Sequence, residues 1–594
     1  MLLYFSVSKH IWLSGFLCVS VSLYGCHGET PVNVALVTDA NRSGLVDLDD
    51  PTERVAGWGV SHGAVLLANL DDDDKDGTSD ADDTVINGAA DLNDLSPMVL
   101  VPWPEAPSSA KVTLESDAPG ADAVRVFMLT AGADAKQPEG YTAITLPHEL
   151  VAADLRLGVT FRVEGTKVVS STAAGAFDGK ITIRARLDDA TAKSLANGAP
   201  VKSETVLRIA PVLFQYNTAP TQRIFYTDMG DYTQSLVDGI TAAAGKIPVE
   251  GIDLTSYGAD AEVWMQDFID FGVMTRPAAN GAVQQIRVAI RSAQPDRTAG
   301  IIAEKRFRGP DYVSLEFHDP KGPASDASYS MNSFGNWDMV PPYDKGNDHY
   351  PLGRNLWGAT DDPTTSPDPV YQDFVRAQRV QPEINVDTSW LLVGHVDEFL
   401  SFVKTNTPRG FTLLVADPRA ARFMLQQLIA SGNGGDPVFA GKHELNWNSN
   451  AQIDSQRPVT GVLGDADLMA QSQISAARID AAVAKIKAEV GLLDDEIISM
   501  PGLYENSYGQ SLAYIPGTVN LLHLDGTVVM PDPFGPQLAG ADIFKTDLQT
   551  RLTNLGLKLF YADDWYAYHI EAGEVHCGSN VERDMPLRWW ETGR

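Results

Sequence analysis

The stretches Val393-Gly394-His395-Val396-Asp397-Glu398-Phe399-Leu400 and Gly573-Glu574-Val575-His576-Cys577-Gly578-Ser579-Asn580 decide the fold assignment of this chain of 594 residues. Each stretch places a reactive polar group among apolar neighbours. Cys577 is one of three cysteines, and the other two, Cys18 and Cys26, fall in a predicted export signal. An unpaired thiol beside a histidine is either a small buried hydrophobe or a nucleophile. Residue type leaves both interpretations open.

The first stretch predicts a strand with a polar face. His395 and Asp397 are two residues apart, so on a strand both side chains would point to the same side. The segment Trp264-Met265-Gln266-Asp267 holds a third buried-looking carboxylate. Burying an unpaired carboxylate or imidazole costs on the order of several kcal/mol. The three segments therefore indicate either a reactive site or a structural alternative, namely a buried salt-bridge network or surface strands.

Composition limits the classes of function. A hydrophobic content of 44% is typical of a globular chain, and 594 residues predict two to four domains. The net charge of −33 argues against nucleic acid as a partner, because phosphate binding needs a basic face. An acidic chain favours cations, either metal ions or basic substrates.

The first 28 residues predict an export signal. An apolar run at residues 11–21 has the length of a signal-peptide core and is short for a membrane span. The following Leu23-Tyr24-Gly25-Cys26 resembles a bacterial lipoprotein box, which would make Cys26 the lipid-anchored first residue of the mature protein. The alternative is cleavage near Gly28 and simple secretion. Either way we expect an exported protein, touching a membrane only through Cys26.

Two patterns of secondary structure follow one another. Residues 29–210 are β-rich, with short strands between Gly, Pro, Asp and Asn turns, which predicts an antiparallel sandwich. From residue 211 to 594 strands alternate with helices. The strands predicted from pattern are 32–37, 63–68, 123–129, 180–185, 223–226, 264–272, 390–400, 410–415, 518–524, 557–561 and 566–570, and the helices are 232–244, 418–430 and 475–490.

An acidic loop, residues 69–94, predicts a calcium site. Asn69, Asp71 and Asp73 alternate along the chain, and further aspartates follow. So many carboxylates repel one another unless a cation lies among them, and oxygen ligands are those that Ca²⁺ prefers. The loop does not match an EF-hand, because no Glu falls at its twelfth position. The alternative is a solvated, disordered loop.

Several segments closely resemble the protein-arginine deiminase family and follow one another in the same order as in that family, whose calcium-dependent enzymes convert peptidyl arginine to citrulline. The resemblance covers roughly residues 215–594 and reaches the acidic loop. Vertebrate-type members have a further N-terminal sandwich, for which this sequence has no room. The matching segments are 264–267, 306–311, 333–336, 350–354, 393–403, 533–536, 573–580 and 588–590, with 63–69 in the sandwich.

The resemblance implies a fold and a set of roles. The fold would be an immunoglobulin-like β-sandwich followed by a five-bladed, pseudo-symmetric α/β propeller of the pentein type. Asp267 and Asp397 would clamp the substrate guanidinium, Cys577 would attack its central carbon, and His395 would move the protons. Trp264 and Val393 would line the aliphatic part of the substrate arginine, and Arg297 would hold the substrate backbone.

The resemblance also implies calcium ligands, with departures from the family pattern. Asp270 and Asp338 stand where Glu is expected, which shortens their reach. A second family site has Phe268, Ser292 and Ala293 in place of two acids and a serine, so we expect fewer ions. The implied ligands near the active site are Gln266, Asp270, Phe334, Trp337 and Asp338, and those in the sandwich are Asn69, Asp71, Asp73, Asp80, Asp91 and Asp94.

The sequence thus predicts a calcium-dependent hydrolase that releases ammonia from peptidyl arginine through a covalent thiouronium on Cys577. Glu571 and Ala572 replace a basic pair expected at the mouth of the cleft, which bears on peptide preference. Two alternatives remain open. One is a deiminase of free arginine or small guanidines. The other is a calcium-loaded surface or adhesion protein that has lost catalysis.

Overall fold

The structure is a computed structural model that describes residues 32–117, 119–195, 201–323, 325–445 and 451–593. The predicted signal at residues 1–28, with Cys18 and Cys26, lies outside these residues, so export and lipid attachment stay predictions. Within the described residues, no helix is both long and apolar enough to cross a membrane.

The first part of the chain forms two five-stranded sheets that share one hydrophobic core. Strand Lys180–Leu187 alternates buried and part-exposed residues, as expected where one face of a sheet covers a core. Neighbouring strands are antiparallel, except that Leu207–Ile209 pairs in parallel with Ala64–Leu66. The predicted two-sheet sandwich is observed, and its immunoglobulin-like character stays a prediction. In order across each sheet, the strands are Leu36–Thr38, Ser96–Leu100, Val159–Gly165, Val124–Leu129 and Tyr141–Ile144, and Ala64–Leu66, Lys202–Ile209, Lys180–Leu187, Lys111–Ser116 and His148–Val151.

The second part contains, among the described residues, five mixed sheets of one topology. In each sheet a central strand pairs antiparallel with one neighbour and parallel with the other. A closed ring of five blades stays a prediction. The sheets are Leu213–Phe214, Ile269–Pro277, Val283–Arg291 and Tyr312–Glu316; Val249–Ile252, Thr221–Thr227 and Ser579–Arg583; Trp337–Val340, Arg354–Gly358 and Glu383–Val386; Leu400–Lys404, Phe411–Asp417 and Ile497–Pro501; and Leu522–Leu524, Thr527–Pro531 and Lys558–Ala562.

Helices and small hairpins connect the strands. Helix Pro418–Ala430 has the predicted bounds, whereas helix Ala466–Val490 begins nine residues before its predicted start. The first turns of this helix bury the polar residues Gln471, Ser472 and Ser475. Because these buried positions are polar, the sequence lacks the apolar periodicity that would predict a helix there. The other α-helices are Ala89–Asp94, Ala152–Leu157, Asp189–Leu195, Gln234–Ala244, Met265–Phe268, Asp326–Met331, Pro369–Gln378, Val459–Gly464 and Ile543–Thr553, and the two-stranded hairpins are Tyr343–Lys345 with Asp348–Tyr350, Pro437–Val438 with Arg457–Pro458, His443–Leu445 with Gln452–Asp454, Tyr504–Ser507 with Gln510–Ala513, and Gln537–Leu538 with Ala541–Asp542.

Two predicted strands are wrong at the site segments, and the strand predicted from residue 264 begins five residues late, at Ile269. Residues 393–399 turn before strand Leu400–Lys404 begins, because the Glu398 carboxylate accepts the backbone N–H of His395 at 2.8 Å and stabilises the 3₁₀ turn Val396–Glu398. Residues 265–268 form a helical turn before the strand, and residues 569–571 form a 3₁₀ turn. These segments are apolar because they are buried, and burial does not distinguish a strand from a turn.

Candidate active site

The four predicted catalytic residues lie at the ends of elements that are distant in sequence. Asp267 belongs to the helical turn Met265–Phe268, and His395 and Asp397 belong to the turn before strand Leu400–Lys404. Cys577 precedes strand Ser579–Arg583, which pairs with Thr221–Thr227 at the start of this part. The side chains are buried, with exposed fractions of 1% for His395, 4% for Asp397, 6% for Cys577 and 9% for Asp267.

Gly335 shows how closely these groups converge. A Cβ atom at Gly335 would lie 2.6 Å from His395 Nδ1, 3.1 Å from Asp397 Oδ2 and 3.2 Å from Asp267 Oδ1. Cys577 Sγ is 3.6 Å from Asp397 Oδ2. The absence of a side chain at residue 335 therefore leaves room where two carboxylates and an imidazole meet. The sequence did not single out this glycine.

Asp267 and Asp397 share one arrangement: in each, one carboxylate oxygen accepts a hydrogen bond from a basic side chain and the other has no partner in the described structure. Both Nη atoms of Arg297 lie 3.3 Å from Asp267 Oδ2, and His576 Nδ1 lies 2.8 Å from Asp397 Oδ2. The Oδ1 atom of each aspartate is buried and has no hydrogen-bond partner among the described residues. A guanidinium is planar and carries five N–H donors, so it can satisfy two such oxygens at once.

A backbone carbonyl fixes the tautomer of His395. Its Nε2 lies 2.9 Å from the carbonyl oxygen of Ser330, and because a carbonyl only accepts, Nε2 must carry the hydrogen. Nδ1 then faces the site, 4.0 Å from Asp267 Oδ1. His395 therefore presents a nitrogen that can accept a proton there and donate it again.

Asn520 holds the segment of the predicted nucleophile, Cys577, and was missed by sequence reasoning. Its Nδ2 lies 3.2 Å from Cys577 Sγ, and its Oδ1 accepts the backbone N–H groups of His576 at 2.9 Å and Cys577 at 3.3 Å. The signal available was an amide inside the apolar run 519–522. A buried amide with three such bonds fixes both the position of Sγ and the path of its backbone.

Burial raises the pKa of the Cys577 thiol well above its usual value, and the neighbouring charges of Asp397 and Asp267 raise it further. The hydrogen bond from Asn520 acts in the opposite direction. The thiol is therefore protonated while the Oδ1 atom of each carboxylate has no partner within the described structure. A cation placed between them would offset their charges and lower the pKa of the thiol.

Trp264 packs against the chain that leads to Cys577. Its ring packs edge-on against Tyr568, with centroids 5.8 Å apart, and a Cβ atom at Gly573 would lie 2.3 Å from it. Val393 is half-buried, and its carbonyl accepts the Ser330 hydroxyl at 2.6 Å. Both residues flank the segments that carry the catalytic groups, and their contact with a substrate stays a prediction.

The Arg297 guanidinium is engaged within the protein. Its Nε lies 2.9 Å and 3.1 Å from the two carboxylate oxygens of Glu262, and its Nη1 contacts Gln294 and Ser333 as well as Asp267. These carboxylates outweigh burial and raise its pKa, so the charge is permanent. The predicted contact with a substrate backbone would require part of this network to exchange. The structure thus gives Arg297 a role that sequence reasoning did not foresee, namely orienting Asp267.

A cavity of about 40 Å³ lies beside the active site and is lined by four of the five predicted calcium ligands there, Gln266, Asp270, Trp337 and Asp338. Burial raises the pKa of Asp270 and of Asp338 to about 7. The fifth, Phe334, does not line it, and its carbonyl accepts the backbone N–H of Trp337. His576 and Arg583 also line the cavity. Phe268 and Ala293, at the second family site, are buried apolar residues, and neither offers a carboxylate to an ion.

The acidic loop gathers several buried carboxylates. Oxygens of Asp71, Asp73 and Asp94 lie within 4.8 Å of one another. In the described part of the chain, one buried oxygen each of Asn69, Asp71 and Asp80, and both of Asp73, lack a hydrogen-bond partner. Burial raises the pKa to about 8 for Asp71, Asp80 and Asp94 and to about 6 for Asp73. This donor set suits Ca²⁺.

Three further features of the loop refine the predicted ligand set. Both oxygens of Asp91 already accept bonds, from Asn69 Nδ2 at 2.9 Å and from the backbone N–H of Asn87 at 2.6 Å. Glu164 is buried, and it binds Asn69 and Arg125. The backbone N–H of Asp311, in the second part of the chain, donates to Asp71 at 3.0 Å. Sequence reasoning proposed neither Glu164 nor Asp311 as part of this site.

Comparisons with known proteins cover both parts of the molecule. A family model described as protein-arginine deiminase matches residues 200–591, and one for the middle domain of that family matches residues 32–188. Protein-arginine deiminase type-4 of Mus musculus is 30% identical over 589 residues, covering 94% of this chain and 83% of that protein. Type-3 of Homo sapiens is 30% identical over 601 residues, covering 96% and 86%. Type-4 of Homo sapiens is 29% identical over 576 residues, covering 94% and 83%.

Proposed function

The chain belongs to the protein-arginine deiminase family, and from this membership and the geometry of its site we propose that it hydrolyses the guanidinium of peptidyl arginine to citrulline and ammonia. One observation carries the proposal. Asp267 and Asp397 each keep one buried carboxylate oxygen without a partner in the described structure, beside His395 and Cys577. Two such oxygens at the same site are costly unless a cation occupies it.

Binding prepares the nucleophile. The substrate guanidinium donates to the free oxygens of Asp267 and Asp397, and the bonds from Arg297 and His576 keep both carboxylates oriented. The cation offsets the negative charges that raise the pKa of Cys577. The proton then passes from Sγ to Nδ1 of His395, and the hydrogen bond from Asn520 stabilises the thiolate. Substrate binding and thiol activation are thus one event.

The first chemical step releases ammonia. Cys577 Sγ attacks the central guanidinium carbon and forms a C–S bond, and the π electrons of the C=N bond move onto nitrogen. His395 Nδ1 then donates a proton to one terminal nitrogen, the C–N bond breaks, and ammonia leaves. The remaining thiouronium stays bound between Asp267 and Asp397.

The second step releases citrulline. His395, now neutral, accepts a proton from a water molecule, whose oxygen attacks the thiouronium carbon. The C–S bond breaks, the electron pair returns to Cys577 Sγ, the second proton of the water is released to solvent, and the ureido group of citrulline is formed. The balance is one water consumed and one ammonia released for each arginine. The Nε2 bond to Ser330 keeps Nδ1 of His395 facing the reaction in both steps.

We propose that activity depends on calcium. Asn69, Asp71, Asp73, Asp80 and Asp94 would hold ions in the acidic loop, and Gln266, Asp270 and Asp338 would hold one beside the active site. A bound ion supplies positive charge that compensates buried carboxylates. Because Gln266 and Asp267 are neighbours, ordering the first also positions the second. Export, as a secreted or Cys26-anchored protein, is a further part of the proposal.

The substrate class is tested with a blocked arginine ester and free arginine, each assayed for citrulline with calcium and with excess EDTA. The proposal predicts preference for the blocked ester and loss of activity in EDTA. Higher kcat/KM for free arginine would favour the small-guanidine alternative, and full activity in EDTA would remove the calcium requirement. Glu571 lies half-buried on the turn before the nucleophile segment, and Glu571→Arg would test its effect on peptide preference.

A further inference from the structure

A second, larger cavity lies between the sandwich and the second part of the chain, with a volume of about 710 Å³. Strands Ser96–Leu100 and Val159–Gly165 of the sandwich line one side, and the hairpin around residues 276–284 lines the other. This volume is within the range of cavities that bind small molecules. The catalytic groups do not line it, and no step proposed above uses it.

The charge of this cavity is opposite to that of the molecule. Arg162, Arg276 and Lys136 line it together with one acid, Asp39, whereas the chain as a whole carries a net charge of −33. The Asp39 carboxylate is already occupied, since the backbone N–H groups of Ser43 and Gly44 donate to it at 2.8 Å and 3.0 Å. The cavity therefore presents an excess of cationic donors.

The two arginines differ in their partners. Arg276 Nε donates to Gln284 at 2.8 Å, its Nη1 donates to Ser96 at 2.9 Å, and its Nη2 donates to the Asn93 carbonyl. The side chain of Arg162 has no hydrogen bond or ion pair to any described residue, and its Nε is buried although the residue as a whole is half-buried. Among the described residues, Arg291, Arg409 and Arg551 also have a buried Nε without a hydrogen-bond partner, but other nitrogens of their guanidiniums bind protein groups. The Arg162 guanidinium has no such bond, so its donors are available to a ligand.

We propose that this cavity binds a small organic carboxylate with an apolar chain. The carboxylate pairs with the Arg162 guanidinium, with Lys136 adding charge at the exposed side. The chain packs against the apolar wall formed by Leu92, Pro97, Val99 and Pro277. A ligand so placed contacts both parts of the molecule and ties the sandwich to the strand Ile269–Pro277, which begins two residues after Asp267.

The test uses octanoate as the probe and octanamide as its uncharged match, with binding measured by calorimetry and by the shift in Tm of the full chain. Octanoate is expected to bind and raise Tm, and octanamide is expected to bind at least about tenfold more weakly. Arg162→Gln is expected to weaken octanoate binding at least about tenfold and to leave octanamide unchanged. Arg186→Gln, on the other sheet of the sandwich, serves as the control and is expected to bind like wild type.

Arg162→Lys distinguishes the loss of a contact from misfolding. It keeps the positive charge and lacks the planar guanidinium, so an affinity for octanoate between those of wild type and Arg162→Gln is expected. Three results would overturn the proposal: no binding of octanoate at millimolar concentration, equal binding of octanoate and octanamide, or unchanged octanoate binding in Arg162→Gln. None of them bears on citrulline formation.

Discussion

The proposed catalytic pair, Asp267 and Asp397, and the acidic loop both bury aspartates, and we propose that the two regions bind different cations. In the catalytic pair a basic side chain of the protein, Arg297 or His576, holds one oxygen of each carboxylate, and one oxygen is left free. In the acidic loop, Asp71, Asp73 and Asp94 approach one another with no basic side chain among their hydrogen-bond partners in the described structure.

The difference lies in how many oxygens each region offers and how firmly they are oriented. Two oriented oxygens suit a flat guanidinium that must enter and leave with each turnover. A ring of unsatisfied oxygens suits a small, spherical, doubly charged ion that stays. We therefore propose that the same residue type binds substrate in one region and a structural ion in the other, and that the neighbouring side chains determine which.

The largest expected effect comes from removing one charge in each region. Asp267→Asn and Asp397→Asn should each lower kcat/KM by about a thousandfold or more. Each substitution removes one of the two carboxylates that bind the guanidinium, and with it the cation binding that lowers the pKa of the Cys577 thiol. Asp94→Asn should instead raise the calcium concentration needed for half-maximal activity, and its rate at saturating calcium should be close to that of wild type. Citrulline release, titrated against free calcium, distinguishes the two patterns. Equal loss at saturating calcium in all three variants would contradict the comparison.

Gly335→Ala is a substitution in the catalytic region that changes no charge. Its added methyl group would lie 2.6 Å from His395 Nδ1, closer than non-bonded atoms approach, so the imidazole or the carboxylates must shift. We expect kcat/KM to fall by about a hundredfold with little change in Tm. Gly435→Ala, where a Cβ atom meets nothing, is the matched control. Wild-type activity in Gly335→Ala would show that the groups do not converge as described.

Asn520→Ala tests how the nucleophile is held. The loss of the bond to Sγ should raise the pKa of the thiol and lower kcat/KM by roughly tenfold to a hundredfold. Alkylation of Cys577 by iodoacetamide, followed across pH by peptide mass spectrometry, reports the thiol directly. Asn355→Ala, another buried asparagine with two side-chain bonds, should lose stability without shifting that profile. A shift of equal size in both variants would make Asn520 a general stabilising residue.

The smallest effect concerns pH and the calcium-free protein. In the folded state the pKa of Asp71, Asp80 and Asp94 is raised to about 8, from about 4 in an unfolded chain. Raised acid pKa values stabilise the fold fully below about pH 4, and this contribution is lost as pH rises through 8. The Tm of the calcium-free protein should therefore fall by roughly a few degrees between pH 5 and 8. Calcium should raise Tm most at pH 8, and a calcium-free Tm that rises over this interval would contradict the assignment.

Sequence reasoning found the polar groups of both regions better than it found their geometry. The succession of a strand and a helix places helix Pro418–Ala430 correctly, and the resemblance brings together Asp267, His395, Asp397 and Cys577. The strand expected at His395 is a turn, because a hydrogen bond from its backbone to Glu398 decides the local path. Gly335, Asn520 and Asp311 act through contacts with residues 56 or more positions away, which no local pattern encodes.

The central claim is that Cys577 attacks a guanidinium held by the catalytic pair, and the most direct measurement is citrulline formation by wild type and Cys577→Ser with calcium in excess. Wild type should convert a peptide arginine to citrulline and release an equal amount of ammonia. Cys577→Ser should bind the same peptide and form no citrulline, because a serine hydroxyl there is not ionised by the arriving cation. Citrulline formation by Cys577→Ser at the wild-type rate, or none by wild type, would contradict this account.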